Sequence, residues 1–232
     1  MQVDYVQHYG DDLTVVNAAR VSFDKKSDWV VAGFDEVWDA DSRSVEIHKR
    51  LALSPKDEKL IRYLAKNKHT SCFEHIGATL KLKVPIFIAR QIQRHRTFSY
   101  NEISRRYVDN PPEFFWPDKW RKRADNVKQG SSDEEVDFDT AGYAKSAALV
   151  ALEVYERLLE EGAAPEQARM ILPQNMYTEF YMTGNLRAWA HFLELRLDRH
   201  AQKEVQDVAK MVKEILDPLF PISMQALVND ES

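Results

Sequence analysis

The chain has 232 residues, 44% of them apolar and 30% charged, with only 7 Gly and 9 Pro, which excludes a disordered, loop-dominated or collagen-like protein and predicts one large globular domain. Its 32 Lys and Arg against 37 Asp and Glu give a net charge of −5, so the chain as a whole is no generic polyanion binder.

In chain order, Gln2 to Tyr9 reads as a strand, Gly10-Asp11-Asp12 as a turn, and Leu13, Val16 and Ala19 as one face of a helix. Lys25 to Ser44 is mixed and polar, and is expected to be loop with some helix. Ser54-Pro55-Lys56-Asp57 starts a helix, with a capping residue, Pro at the first position and an acid in the first turn. Ala78 to Val84 alternates apolar and polar as a half-buried strand does. Pro85 ends it and opens a helix through Ile92. Trp120 to Thr140 is polar and almost without core residues, an expected exposed loop around 120–140. Thr140 to Glu161 repeats Ala and Val at helical spacing until Gly162 stops it. A short helix from Pro165, a strand over Asn175 to Thr183, a helix capped by Asn185 and a last one from Ala201 to Leu216 complete the pattern. Helix dominates, the strands look antiparallel, and no repeat appears. The expected class is α+β, a small antiparallel sheet packed with several helices.

Between Arg90 and Tyr107 stand five arginines (Arg90, Arg94, Arg96, Arg105, Arg106), no lysine and one acid, Glu102. Arginine alone, in a chain where lysine is equally frequent, points to planar recognition of phosphate or carboxylate. Phe98, Tyr100, Ile103 and Tyr107 interleave with it, as at a wall. The same pattern would suit a module stacking bases of a nucleic acid, but the net charge counts against that reading. His69 to His75 gathers two histidines, a thiol and a carboxylate at a spacing that fits no common zinc site, so no metal is expected. Arg187 and His191, four residues apart, share a helix face. Nucleotide-loop and hydrolase motifs are absent.

Arg94-His95-Arg96, seven residues and then Ser104 resembles the signature of the flavin-dependent thymidylate synthases. Ala18 to Phe23, His69 to His75, Ala168 to Pro173, Asn185 to Arg187 and Leu195 to Gln202 resemble further blocks of that family in the same order, over almost the whole chain. The resemblance implies a single domain, 1–232, that makes dTMP from dUMP, with methylenetetrahydrofolate as carbon donor and noncovalent FAD, reduced by NADPH, as hydride source. It implies a homotetramer with active sites between subunits. Gln91, Arg94, Glu102, Ser104, Arg105, Arg106 and Arg169 would hold dUMP, and Arg196 would contact and activate its uracil. Ser22, His69, Ser71, Glu74, Arg94, His95, Arg96, Asn185, Arg187 and His191 would hold FAD. Cys72 stands where the family usually has proline, so no protein nucleophile is expected. The lone cysteine, the lack of a secretory leader in MQVDYVQHYGDDL and the lack of a stretch of roughly 18 apolar residues suggest a cytoplasmic enzyme that binds neither membrane nor nucleic acid.

Overall fold

The computed structural model describes residues 1–39, 44–108, 111–125, 131–136 and 140–228. β1 (Gln2–Tyr9) leads to α1 (Asp12–Arg20), which starts on a capping box: Thr14 N donates to Asp11 and Thr14 Oγ1 accepts from Asp11 N. The segment read as loop with some helix is instead a hairpin, β2 (Val30–Asp39) against β3 (Ser44–Ala52). Its apolar residues touch no core of their own chain, so they leave no burial signature among the charges around them.

α2 (Pro55–Lys66) begins at the Ser54 cap and fades at Asn67, as read. β4 (Gly77–Pro85), α3 (Ile86–Ile92) and the short β5 (Ser99–Glu102) follow. The polar stretch expected as loop contains two strands, β6 (Arg121–Arg123) and β7 (Ser131–Glu135). An ion pair of 2.7 Å from Arg121 to Glu204 pins it to the body; residues 126–130 and 137–139 lie outside the described part. α4 (Thr140–Glu160), α5 (Pro165–Ala168), β8 (Tyr177–Asn185) and α6 (Leu186–Leu197) come next. α7 (Lys203–Leu219) runs on through Pro218, where only the last turn loses a donor, and α8 (Pro221–Leu227) closes the described chain.

Four strands form one antiparallel sheet in the order β1-β4-β8-β5. The register puts Ala78, Leu80, Leu82 and Val84 beside Gly184, Met182, Phe180 and Thr178, all buried, on the face toward the helices. Lys81, Lys83, Glu179 and Tyr181 line the other face, where Lys81 pairs with Glu179 at 2.6 Å. Burial thus follows the two-residue period that marked β4 in the sequence. Asp12, nearly buried, accepts from Ile222 N and Ser223 N and so ties the start of α1 to the start of α8. Desolvation raises its pKa, and the hydrogen bonds only partly offset that.

At the head of β4 and the foot of β8 two backbones approach closely. A Cβ on Gly77 would lie 2.3 Å from the Gly184 carbonyl oxygen and 2.8 Å from Asn185 Cα. Backbone cannot move aside as a flexible side chain does, so Gly77→Ala is expected to cost about 3 kcal/mol. A denaturant titration in which this variant keeps the wild-type midpoint contradicts the contact.

Candidate functional site

The end of α3 and the last turn of α6 meet at His95. Arg196, half-buried, donates from Nε to His95 Nε2 at 3.0 Å and from a terminal nitrogen to the Gln91 carbonyl at 3.1 Å. As acceptor, Nε2 carries no proton, which leaves that proton on Nδ1. His95 is 7% exposed, with Phe192 and Phe98 ring centroids 5.1 and 6.5 Å away. Burial, with Arg196 and His191 beside it, lowers its pKa to about 4. The imidazole is therefore neutral at ordinary pH and acts as an acceptor that aims a guanidinium. Burial lowers the Arg196 pKa too, and nearby Arg94 adds to the effect.

Two further groups hold this turn. Tyr100 donates to the carbonyls of His95 (2.9 Å) and Ile92 (3.1 Å), and burial pushes its phenol up to about 12, so it stays a donor. Gln91 donates to Gln202 at the start of α7. Behind them, Trp189 sits 4.6 Å from Phe98, centroid to centroid, and donates to the Ala78 carbonyl, locking α6 onto β4.

His191, on α6 and exposed, has its ring centroid 6.0 Å from that of His95 and carries the site into a cleft of about 860 Å³. Glu74, Asn185, Arg187 and Thr70 line the cleft over a floor that includes Ala65, Ala188 and Leu227. Asn185 caps α6 by accepting from Ala188 N at 2.9 Å, which brings the positive end of a 12-residue helix to the cleft. Arg187 and Glu74 form an ion pair of 2.5 Å at its rim. His69 and Ser71 flank Thr70 at the turn of 70–74.

The arginine-rich segment after β5 forms a second polar group. Arg106 donates from Nε to Ser104 Oγ at 3.2 Å and its guanidinium lies 4.9 Å from the Tyr107 ring centroid. The Glu102 carboxylate is engaged by Thr178 (2.6 Å) and Gln93 (3.0 Å). Arg94 and Arg96 are exposed beside His95. Of the expected site residues, Glu74, Asn185, Arg187 and His191 line the cleft. Ser22, on the turn of 21–23, and Arg169, on the turn of 169–171, are exposed and do not, and neither do His69, Ser71, Gln91, Arg94, His95, Arg96, Glu102, Ser104, Arg105, Arg106 and Arg196.

The sequence reading missed a second hollow of about 520 Å³, walled by Phe87, Phe115, Trp116, Trp120 and Ala148 and reaching Gln202. The run Phe114-Phe115-Trp116-Pro117, aromatic beside a polar stretch, was its available signal. It also missed Gln202 as a support, which no local pattern marks, and read Tyr100 only as part of a wall, not as the donor that holds the His95 turn. Among the described residues no three His, Cys, Asp or Glu gather as metal ligands. No described helix is long and apolar enough to cross a membrane.

A guanidinium at the rim, a helix N-terminus and a polar cleft are the equipment of a site that binds an anion. Residues 4–222 match the family model described as thymidylate synthase complementing protein. The chain is 38% identical over 224 residues to a flavin-dependent thymidylate synthase of Thermus thermophilus, covering 97% of this chain and 74% of that one. It is 37% identical over 226 residues to the Thermosipho africanus enzyme of the same name, covering 96% and 89%. A UMP/dUMP methylase, PolB from Streptomyces cacaoi, bound with 5-Br dUMP, superposes with a TM-score of 0.75 at 34% identity, covering 97% of this chain and 93% of that one. The protein belongs to the flavin-dependent thymidylate synthase family, and it is an enzyme of that class.

Proposed function

We propose that the enzyme converts dUMP to dTMP with methylenetetrahydrofolate as carbon donor and FAD, reduced by NADPH, as hydride source. The observation that carries this is Arg196, held by the Gln91 carbonyl and by neutral His95, whose ring lies beside that of His191 in the cleft wall. The donor set fits FAD. Arg187 and the α6 N-terminus suit a pyrophosphate, and the apolar floor suits a flat ring. Bound there, FAD supplies the redox chemistry, while the protein supplies position and field.

In this reading Gln91, Arg94, Glu102, Ser104, Arg105, Arg106 and Arg169 hold dUMP, and the Arg196 cation stabilises negative charge as uracil is activated. FAD is held by Ser22, His69, Ser71, Glu74, Arg94, His95, Arg96, Asn185, Arg187 and His191. Most of these residues, Ser22 and Arg169 among them, do not line the one cleft in a single chain, which suits a homotetramer whose sites are completed by a neighbour. Such an enzyme works in the cytoplasm, as a single domain over 1–232.

No side chain serves as nucleophile. Cys72, on the turn of 70–74, is buried in the core and does not line the cleft. The Ser104 hydroxyl accepts from Arg106, and the nearby Glu102 is already engaged by Thr178 and Gln93. Cys72→Ala is expected to retain most turnover, and mass spectrometry that finds dUMP joined to Cys72 or Ser104 would overturn this. The function itself is tested by purifying the protein with FAD and assaying dUMP and UMP side by side. Flavin absorbance with dTMP formation supports it, and a colourless protein that makes no dTMP refutes it.

A further inference from the structure

The β2–β3 ribbon has no close packing partner within the described chain apart from its own two strands. The register places Phe34 and Trp38 on one face with Val45, Ile47 and Leu51, and Val31 opposite Leu51 extends that face at its base. All six are at least half exposed, Ile47 to 69% and Trp38 to 63%. The other face is polar and bridged, Arg50 to Asp35 at 3.2 Å and His48 to Glu46 at 3.1 Å. A lone two-stranded hairpin is marginal in water, and so large a bare apolar patch marks an interaction surface.

Two charges interrupt that apolar face: Glu36 on one strand and Lys49 on the other. Neither has an ion-pair partner among the described residues. A copy of the same face turned about a two-fold axis presents Lys49 to Glu36 and Glu36 to Lys49, which is the self-complementarity an isologous contact requires. An anionic lipid surface is a poor occupant, because Val30 to Ala52 carries five carboxylates against three Lys and Arg. We propose that the apolar face of the β2–β3 ribbon is a two-fold contact between two copies of this chain. The inference rests on the reading that the enzyme is an oligomer, and it names a segment that joins its subunits.

The test is sedimentation of the FAD-loaded full chain over a range of concentrations, for the wild type, Glu36→Lys, Lys49→Glu and an equal mixture of the two variants. Each variant alone sets like charges against each other, and its dissociation constant is expected to rise at least tenfold, toward half-size particles or single chains. The mixture restores opposite charges at both places and is expected to reassemble. Circular dichroism melts that match the wild type show that these exposed positions leave the fold intact. Assembly unchanged in both variants, or weakened in each and not restored by mixing, overturns the ribbon contact while the oligomeric reading stands. A wild type that sediments as a monomer overturns both.

Discussion

Arg196→Ala is expected to lower turnover of dUMP by about 10²–10³-fold, the usual consequence of removing a preorganised group that meets developing charge. The guanidinium is aimed before substrate arrives, because one nitrogen is fixed on His95 and another on the Gln91 carbonyl. Arg196→Lys keeps the charge but cannot make both bonds from one planar fork, so its activity should fall between the two. The stability cost should be small, about 1 kcal/mol for the lost hydrogen bonds. A drop confined to KM, with kcat unchanged, would show that Arg196 only binds substrate and does not act on the transition state.

The second large effect is a pH dependence of stability centred on His95. Its folded pKa of about 4 lies below the ordinary 6.5, so between these values the unfolded chain binds more protons than the folded one. Stability then rises with pH through that window, and it falls as pH drops from 7 toward 4. From pH 7 to pH 5 this one group should cost about 2 kcal/mol. His95→Asn removes the titration, so denaturant unfolding at pH 5 and pH 7 should show a smaller difference in the variant than in the wild type. Equal differences in the two proteins would mean that burial does not hold this imidazole neutral.

Much of the frame was legible in the sequence because its signals are local. Pro55 after Ser54, Asn185 before Leu186 and the alternation from Ala78 to Val84 each fix an element where the structure has it. The antiparallel α+β class followed from those elements. The ribbon was not legible. Phe34 and Trp38 alternate with acids, and Val37 breaks the pattern by lying on the polar face. Strands that bury nothing in their own chain have no core to imprint on their sequence. β5 was hidden for another reason, since four residues cannot establish a period.

The site divides in the same way. Arginine without lysine marked the anion-reading segment, and family resemblance named its residues. The bonds from Arg196 to His95 and to the Gln91 carbonyl join positions about a hundred residues apart in sequence. No spacing rule reaches across such a gap, so which guanidinium is fixed and which is free could be learned only from the fold. Of the residues that resemblance brings to the site, Glu74, Asn185, Arg187 and His191 line the cleft in one chain, and the others, Arg169 and Ser22 among them, do not.

The central claim is that one active site couples flavin oxidation to methylation of dUMP. Its most direct test is anaerobic mixing of the NADPH-reduced FAD enzyme with dUMP and methylenetetrahydrofolate, followed by absorbance and product analysis. Flavin absorbance should return once, with about one dTMP formed per flavin. Return of absorbance without dTMP, or dTMP formed while the flavin stays reduced, would contradict the account.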